Sequence, residues 1–178
     1  MAVTEPILGR YVDLRSCTED DAEFTRAIRR DPQFANCFPA LDNTLDEQRV
    51  WIKKQREKAG DYFFVVWDKE GNRLGTISVY NIEDDHGESG RLAIKGNSLQ
   101  AIEAQLLADQ FGYEQLGLNR IDAFIFEENK RALRFSEMFN RRVYAHETDD
   151  SGRNIVKVVS TKEDFYSAFK KCKRVLYR

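Results

Sequence analysis

The sequence is poor in the residues that usually mark metal sites, disulfide bonds and membrane spans. It contains two histidines, far apart, and three cysteines that form no CxxC pair. Because zinc sites need several closely spaced thiolate or imidazole ligands, we expect no metal site. The odd cysteine count favours a reduced, cytoplasmic setting. No apolar run approaches the roughly 20 residues of a membrane-spanning helix, so we expect no membrane partner.

The chain also lacks an excess of charge of either sign. Its 28 Lys and Arg residues face 30 Asp and Glu residues, and the net charge is -2 at pH 7. Proteins that bind nucleic acid by bulk electrostatic attraction are usually basic, so we expect no nucleic-acid partner. Proline is scarce, and no repeat or low-complexity linker divides the 178 residues. We therefore predict a single domain over residues 1–178.

What the sequence does contain is a regular alternation of strand and helix patterns. Thr44–Glu47 forms a capping box, and Gly117 stands where a left-handed helix cap is needed. The predicted elements are strand 11–14, helices 19–30 and 45–59, strands 62–67, 74–82 and 88–94, helix 98–116, strand 120–126, helix 129–140, strands 142–146 and 154–159, and helix 162–172. Three consecutive hairpin strands within an alternating order predict an α/β fold, a mixed sheet with helices on both sides.

The segment 116–135 carries a resemblance to a known family. A long helix ends in Leu-Gly-Leu, a strand follows, and an Asn-x-x-Ala sequence beginning at Asn129 opens the next helix. This motif and the element order resemble the GNAT superfamily of N-acetyltransferases over residues 8–159. Within the superfamily, the Asp-Pro pair at 31–32 and the turn and strand at 71–77 resemble the ribosomal-protein and nucleotide-amino-sugar branches.

The resemblance implies a mostly antiparallel mixed sheet whose fourth and fifth strands splay apart, with helices on both faces. In GNAT proteins the pantetheine arm of acetyl-CoA fills this gap like an added strand. Here the gap would lie between strands 88–94 and 120–126, which we expect to be parallel neighbours joined by the long helix. The implied activity is acetyl-CoA-dependent N-acetylation of a primary amine, by direct transfer and without a covalent enzyme intermediate.

The same resemblance implies a set of cofactor-binding residues. Leu92, Ala93 and Ile94 would line the gap, and a backbone amide near Leu92 would face the thioester oxygen. Asn129 would contact the cofactor arm, cap the following helix, or do both. The diphosphate would lie at the start of the long helix, where free amides and the helix dipole favour anions. The residues expected there are Asn97, Ser98, Leu99, Gln100 and Ala101.

Three positions depart from the family pattern, and one of them is Asn140-Arg141, which stands where the family has Gly-Phe. The loop before the long helix has one glycine, Gly96, where the family usually has more to let the backbone approach phosphate. Ser136 stands where many members place the tyrosine that protonates the leaving thiolate, and serine is a poor acid. These departures keep a second hypothesis open, namely a catalytically degenerate GNAT fold that serves as a ligand-binding or interaction module.

A carboxylate is the expected general base. Glu88 opens the fourth strand, where GNAT enzymes often hold such a base, and Glu83 is a rival at the end of the preceding strand. Each of them could instead be a solvated strand end. Ser136 is the candidate for protonating the leaving thiolate, with water as the alternative. His86 is expected in a turn and Ser98 as a helix cap.

The acceptor amine stays open at this stage. The segment 31–44 would line the acceptor side, and it contains Phe34, Phe38, Asp42 and Asn43. A small molecule such as an amino sugar or a polyamine is favoured over a protein N-terminus, and a homodimer is compatible with the resemblance. Near the C-terminus, Lys170–Arg174 predicts a solvated basic face that includes Cys172, a thiol with cationic neighbours.

Overall fold

The computed structural model describes residues 3–177. Their strands form one eight-stranded sheet. The strands are β1 (Ile7–Leu8), β2 (Val12–Ser16), β3 (Tyr62–Asp68), β4 (Arg73–Glu83), β5 (His86–Ile94), β6 (Arg120–Phe126), β7 (Arg142–Thr148) and β8 (Asn154–Thr161). Their order across the sheet is β1-β2-β3-β4-β5-β6-β8-β7. The β5–β6 pair is parallel, and the other neighbours are antiparallel. The predicted mixed, mostly antiparallel sheet is confirmed, and only the short β1 was not predicted.

Helices cover both faces of the sheet. Successive side chains of β3 point to opposite faces of the sheet. Phe64 packs into the large core cluster on one face, and Val65 packs into a smaller cluster with Ile52 on the other. No helix within residues 3–177 is long and apolar enough to cross a bilayer. The helices are α1 (Ala22–Arg30), α2 (Leu45–Glu57), α3 (Ser98–Gln110), α4 (Lys130–Glu137) and α5 (Lys162–Leu176).

The long helix begins at Ser98 as predicted, but its cap residue and its C-terminal end differ from the prediction. Its N-cap is Asn97, so the prediction of Ser98 as the cap was wrong, and Ser98 is the first helical residue. At the other end, a π-turn over Phe111–Gln115 follows α3, with Leu116 N donating to Phe111 O at 3.1 Å. Gly117 then takes a φ of 73°, as its predicted role as a cap requires.

Helix α4 is shorter than the predicted 129–140. Ser136 O accepts from Arg141 N at 3.3 Å, and Asn140 N donates to Glu137 O at 3.0 Å. Asn140 has a φ of 54°, so an asparagine ends the helix in the left-handed conformation that glycine usually takes. This turn directs the next residue, Arg141, back into the interior.

Candidate active site

The splay between β5 and β6 opens a cavity of about 490 Å³ in the middle of the sheet. The two strands pair at three positions, and the last of them joins Glu88 to Asp122. Beyond that pair, no further pairing joins the two strands within residues 3–177, although both continue along the cavity. The expected parallel pairing is therefore confirmed, and the unpaired edges of both strands face a gap that an extended ligand can fill. The lining residues of the strands are Ser89, Gly90, Arg91, Leu92, Ala123, Phe124, Ile125 and Phe126.

A β-bulge distorts β5 where it lines the cavity. Thr76 pairs with Ala93, and Ser78 pairs with Gly90. Two residues along β4 therefore correspond to three along β5, so β5 carries one extra residue. Arg91 takes a left-handed φ of 53° at this bulge. A bulge leaves backbone groups outside the ladder and turns the strand locally. The amide of Leu92 belongs to this stretch, which is where an amide for the thioester oxygen was expected.

A buried polar network forms one wall of the cavity. Gln105 Nε2 donates to Ser89 Oγ at 3.0 Å and to Asp109 Oδ1 at 2.9 Å. Arg141 Nη2 donates to the same Asp109 oxygen at 2.8 Å. The side chains of Arg141 and Asp109 are 4% and 2% exposed, so the ion pair is removed from water. Burial raises the pKa of Asp109, and the charge of Arg141 opposes that rise.

The opposite end of the cavity lies against α1. Arg29 lines it together with Phe38 and Pro39 from the segment that follows the helix. The guanidinium carbon of Arg29 lies 4.4 Å from the centroid of the Phe38 ring, and its Nη2 donates to Pro39 O at 3.0 Å. Phe38 is therefore placed where the acceptor side was expected.

Three other residues expected on the acceptor side lie elsewhere. Phe34 is buried against Ile28 and Ala93. Asn43 lines a neighbouring pocket of about 80 Å³, and Asp42 is exposed and lines neither cavity. The segment is irregular, so it has no periodicity from which the direction of its side chains could be predicted.

Tyr80 connects the cavity to Glu88. The two residues lie opposite each other on β4 and β5, and Tyr80 lines the cavity while Glu88 does not. Glu88 also accepts a hydrogen bond from Asn81 Nδ2 at 3.1 Å. Burial, followed by the charge of Glu88 and a hydrogen bond to it, raises the pKa of Tyr80. The phenol therefore stays protonated. Gly90 leaves room for it, because a Cβ there would lie 2.9 Å from the hydroxyl.

The two predicted residues at α4 have defined hydrogen-bond partners. Ser136 lines the cavity, but its Oγ donates to Leu133 O at 2.7 Å, so the hydroxyl proton is engaged by a helix carbonyl. Asn129 also lines the cavity, and its Oδ1 accepts from Ala132 N at 3.0 Å. The helix-cap role of Asn129 is confirmed, and the residue lies where it can contact a ligand as well.

The expected diphosphate site at the start of α3 is partly closed by its own cap. Asn97 Oδ1 accepts from Gln100 N at 3.0 Å, and Gln100 Oε1 accepts from Asn97 N at 2.9 Å. Ala101 N donates to Asn97 O at 3.0 Å. Within residues 3–177, the amides of Ser98 and Leu99 have no such partner. These two amides lie at the positive end of the helix dipole, so they are the ones available to an anion.

Other candidates lie outside the cavity. Glu83 is exposed at the end of β4, opposite His86 in the hairpin. Ala93 and Ile94 are buried in hydrophobic clusters, so only their backbone could reach a ligand. Cys172 is 3% exposed, so its expected place in a solvated face was wrong, and burial raises the pKa of its thiol. No group of three or more potential metal ligands was found within residues 3–177.

The cavity-lining residues that sequence reasoning missed include Tyr80 and three arginines, Arg29, Arg91 and Arg141. Arg141 had a detectable signal, because it follows α4 where the resembled family has Gly-Phe. The other three look like ordinary strand and helix residues in sequence. Only the bulge and the splay bring them together.

Comparison with known proteins identifies the type of domain. The family described as Acetyltransferase (GNAT) domain matches residues 12–139. A search of curated proteins gave no match. Apo FdhC, a nucleotide-linked sugar GNAT, has a TM-score of 0.82 at 19% identity, with coverage of 98% of this chain and 99% of that chain.

Two further solved structures have the same fold. A GCN5-related N-acetyltransferase from Brucella melitensis has a TM-score of 0.82 at 19% identity, covering 98% of this chain and 86% of that chain. Spermidine N-acetyltransferase from Vibrio cholerae, in complex with CoA and spermine, has a TM-score of 0.79 at 16% identity, covering 88% of this chain and 98% of that chain. These similarities establish the fold.

Proposed function

Because the chain belongs to the GNAT acetyltransferase domain family, we propose that it transfers an acetyl group from acetyl-CoA directly to a primary amine of a small molecule. The observation that carries this proposal is the gap between β5 and β6, which begins after three residue pairs and contains a bulge. A gap with unpaired strand edges suits the amide-bearing pantetheine arm. A protein N-terminus stays a second candidate for the acceptor.

Backbone amides in the cavity and at the start of α3 suit the thioester and the diphosphate of the cofactor. At the bulge, the Leu92 amide can donate to the thioester oxygen as negative charge develops on it. At the start of α3, the Ser98 and Leu99 amides can donate to the diphosphate. Asn129 lines the cavity between the two strands and can contact the pantetheine arm. Acetyl-CoA supplies the acetyl group as a thioester, which an amine can attack without a protein nucleophile.

Two protons must move during this transfer. The incoming alkyl amine is mostly protonated at neutral pH, so it must lose a proton before its nitrogen can attack the carbonyl carbon. We assign that proton to the Glu88 carboxylate, which it reaches through the Tyr80 hydroxyl or a water molecule. Once the C–N bond has formed, the nitrogen carries a second excess proton; as the C–S bond breaks, the nitrogen loses this proton and the leaving thiolate takes one up. We assign this second step to water, because the Ser136 hydroxyl is engaged by Leu133 O.

The proposal is tested by titrating the protein with acetyl-CoA. Binding to the folded state at 100 times the dissociation constant would stabilise it by about 2.7 kcal/mol, which a thermal unfolding scan detects. Mass spectrometry of a panel of amines would then report transfer. Stabilisation without transfer to any amine would favour the ligand-binding module, and no stabilisation at millimolar acetyl-CoA would contradict the proposal.

A substitution at the first helical residue tests the diphosphate contact. Ser98→Pro removes one of the two free amides, and proline is tolerated at this position of a helix. We expect the dissociation constant for acetyl-CoA to rise about 10- to 100-fold, the loss of one hydrogen bond to a charged group. Isothermal titration calorimetry measures this dissociation constant. Ser98→Ala keeps the amide and should bind like wild type, whereas equal losses in both variants would show that the hydroxyl carries the contact.

A further inference from the structure

The α1 side of the cavity is rich in positive charge. Three arginines of α1 donate to backbone carbonyl oxygens of the segment 39–43. Within residues 3–177, none of the three forms an ion pair with a carboxylate. The bonds are Arg26 Nη2 to Asn43 O at 2.6 Å, Arg29 Nη2 to Pro39 O at 3.0 Å and Arg30 Nε to Leu41 O at 3.1 Å.

Arg29 is the member of this group that lines the cavity. Its Nε is buried and has no hydrogen-bond partner among the described residues. Burial, together with the nearby charge of Arg91, lowers the pKa of Arg29, so the cation is held there at a cost. A bound anion would offset both effects. The guanidinium carbon also lies over the Phe38 ring, a cation–π contact that helps to hold the side chain in place.

A second arginine stands beside it in a fixed orientation. Both terminal nitrogens of Arg91 donate to the buried Asp61 carboxylate, at 2.9 and 3.2 Å, and its guanidinium carbon lies 4.2 Å from the centroid of the Tyr80 ring. The one carboxylate that lines the described cavity is Asp149. Its Oδ1 accepts bonds from the backbone and hydroxyl of Ser151, within its own turn.

We infer, on the basis of the proposed function, that the acceptor amine carries an oxyanion, a phosphate or a carboxylate, which binds to Arg29 beside Arg91. A guanidinium offers planar paired donors that match both groups. A polyamine would bring further positive charge to this wall, and Asp149 is the one carboxylate that it would meet among the described lining residues. The acceptor amine itself would lie toward Tyr80, on the path to Glu88.

Matched pairs of amines test this inference. Glucosamine 6-phosphate differs from glucosamine by one phosphate, and lysine differs from cadaverine by one carboxylate. We expect at least one anionic member to be acetylated with a kcat/KM about 10- to 100-fold above that of its partner. The pair that shows the difference identifies the oxyanion. Spermidine, which is cationic along its length, should be the poorest acceptor.

Variants of neighbouring arginines locate the oxyanion site. Arg29→Gln should lower kcat/KM for the anionic amine about 10- to 100-fold through KM, and leave the KM of acetyl-CoA unchanged. Arg29→Lys keeps the charge without the paired donors and should retain part of the affinity. Arg30→Gln is the matched control, because Arg30 also holds the segment 39–43 but does not line the cavity. It should behave like wild type.

Binding measured without acetyl-CoA separates this inference from the proposed function. If calorimetry shows that the anionic amine binds wild type and not Arg29→Gln, yet no acetyl transfer occurs, the inference stands and the enzymatic proposal fails. If neutral amines or spermidine are acetylated as well as their anionic counterparts, the enzymatic proposal stands and the inference is wrong. Equal losses in Arg29→Gln and Arg30→Gln would also overturn it, because they would assign the effect to the loop.

Discussion

Replacement of Glu88 by glutamine should lower the rate of acetyl transfer roughly 10²–10⁴-fold, the contribution typical of a general base. Glutamine keeps the size of the side chain and its acceptor oxygen toward Tyr80 and Asn81, but it cannot take a proton. The loss should be largest at low pH, where little free amine exists, and should shrink as pH approaches the pKa of the acceptor. A pH profile of kcat/KM between pH 6 and 9 measures this.

Two further variants control this experiment. Glu83→Gln removes an exposed carboxylate on the same hairpin, outside the cavity, and should leave the profile unchanged. Ser136→Ala should also have little effect, because the hydroxyl proton of Ser136 is engaged by the helix and serine is a weak acid. If Glu88→Gln were fully active over the whole range, the base would be another group or bulk water, and Glu88 would be a solvated strand residue.

Replacement of Arg141 by methionine should destabilise the fold by about 3–5 kcal/mol, because it leaves the Asp109 carboxylate buried without its partner. Chemical denaturation at pH 7 measures the change in unfolding free energy. Replacement of both residues, with Asp109→Leu added, should recover most of the loss, since a buried ion pair and an apolar pair of similar size often have similar stabilities. A single variant as stable as wild type would show that the carboxylate finds other partners.

The destabilisation by Arg141→Met should also depend on pH in a defined direction. Burial raises the pKa of Asp109 above its unfolded value near 3.8, and loss of the opposing charge would raise it further. A group with a raised folded pKa stabilises fully below its unfolded pKa, and that stability is lost as pH rises through the folded value. The difference between variant and wild type should therefore be smallest near pH 4 and grow toward neutral pH.

Most of the fold could be predicted from local sequence patterns. The capping box at Thr44, the hairpin strands and the cap at Gly117 are local signals, and each was found where the sequence placed it. The long helix starts at Ser98 as predicted, but its cap was misplaced by one residue, because Asn97 and Ser98 are both good caps. The end of α4 was overlooked because an asparagine, Asn140, takes the place of glycine.

The chemistry of the site was much harder to predict than its position. The splay and the bulge are properties of the whole sheet, and they decide which side chains meet in the cavity. Arg29 and Arg91 come from α1 and β5, and Arg141 follows α4, so no spacing in the sequence relates them. Asn129 was predictable because its role as a cap is local. The direction of Phe34 and Phe38 could not be inferred, since their segment has no repeating geometry.

The three residue pairs between β5 and β6 also have a mechanical consequence. Together with hydrogen bonds from Asn119 N and Arg120 N to Asp85 O at the same end, they join a half-sheet of β1–β5 to a half-sheet of β6, β8 and β7. Pairs at one end of two diverging strands act as a pivot, and small rotations about it change the width of the gap most at its open end. An extended ligand that forms hydrogen bonds with both strands would then restrict this rotation. The freedom of the two half-sheets to rotate would therefore depend on the bound ligand as well as on the protein's own backbone.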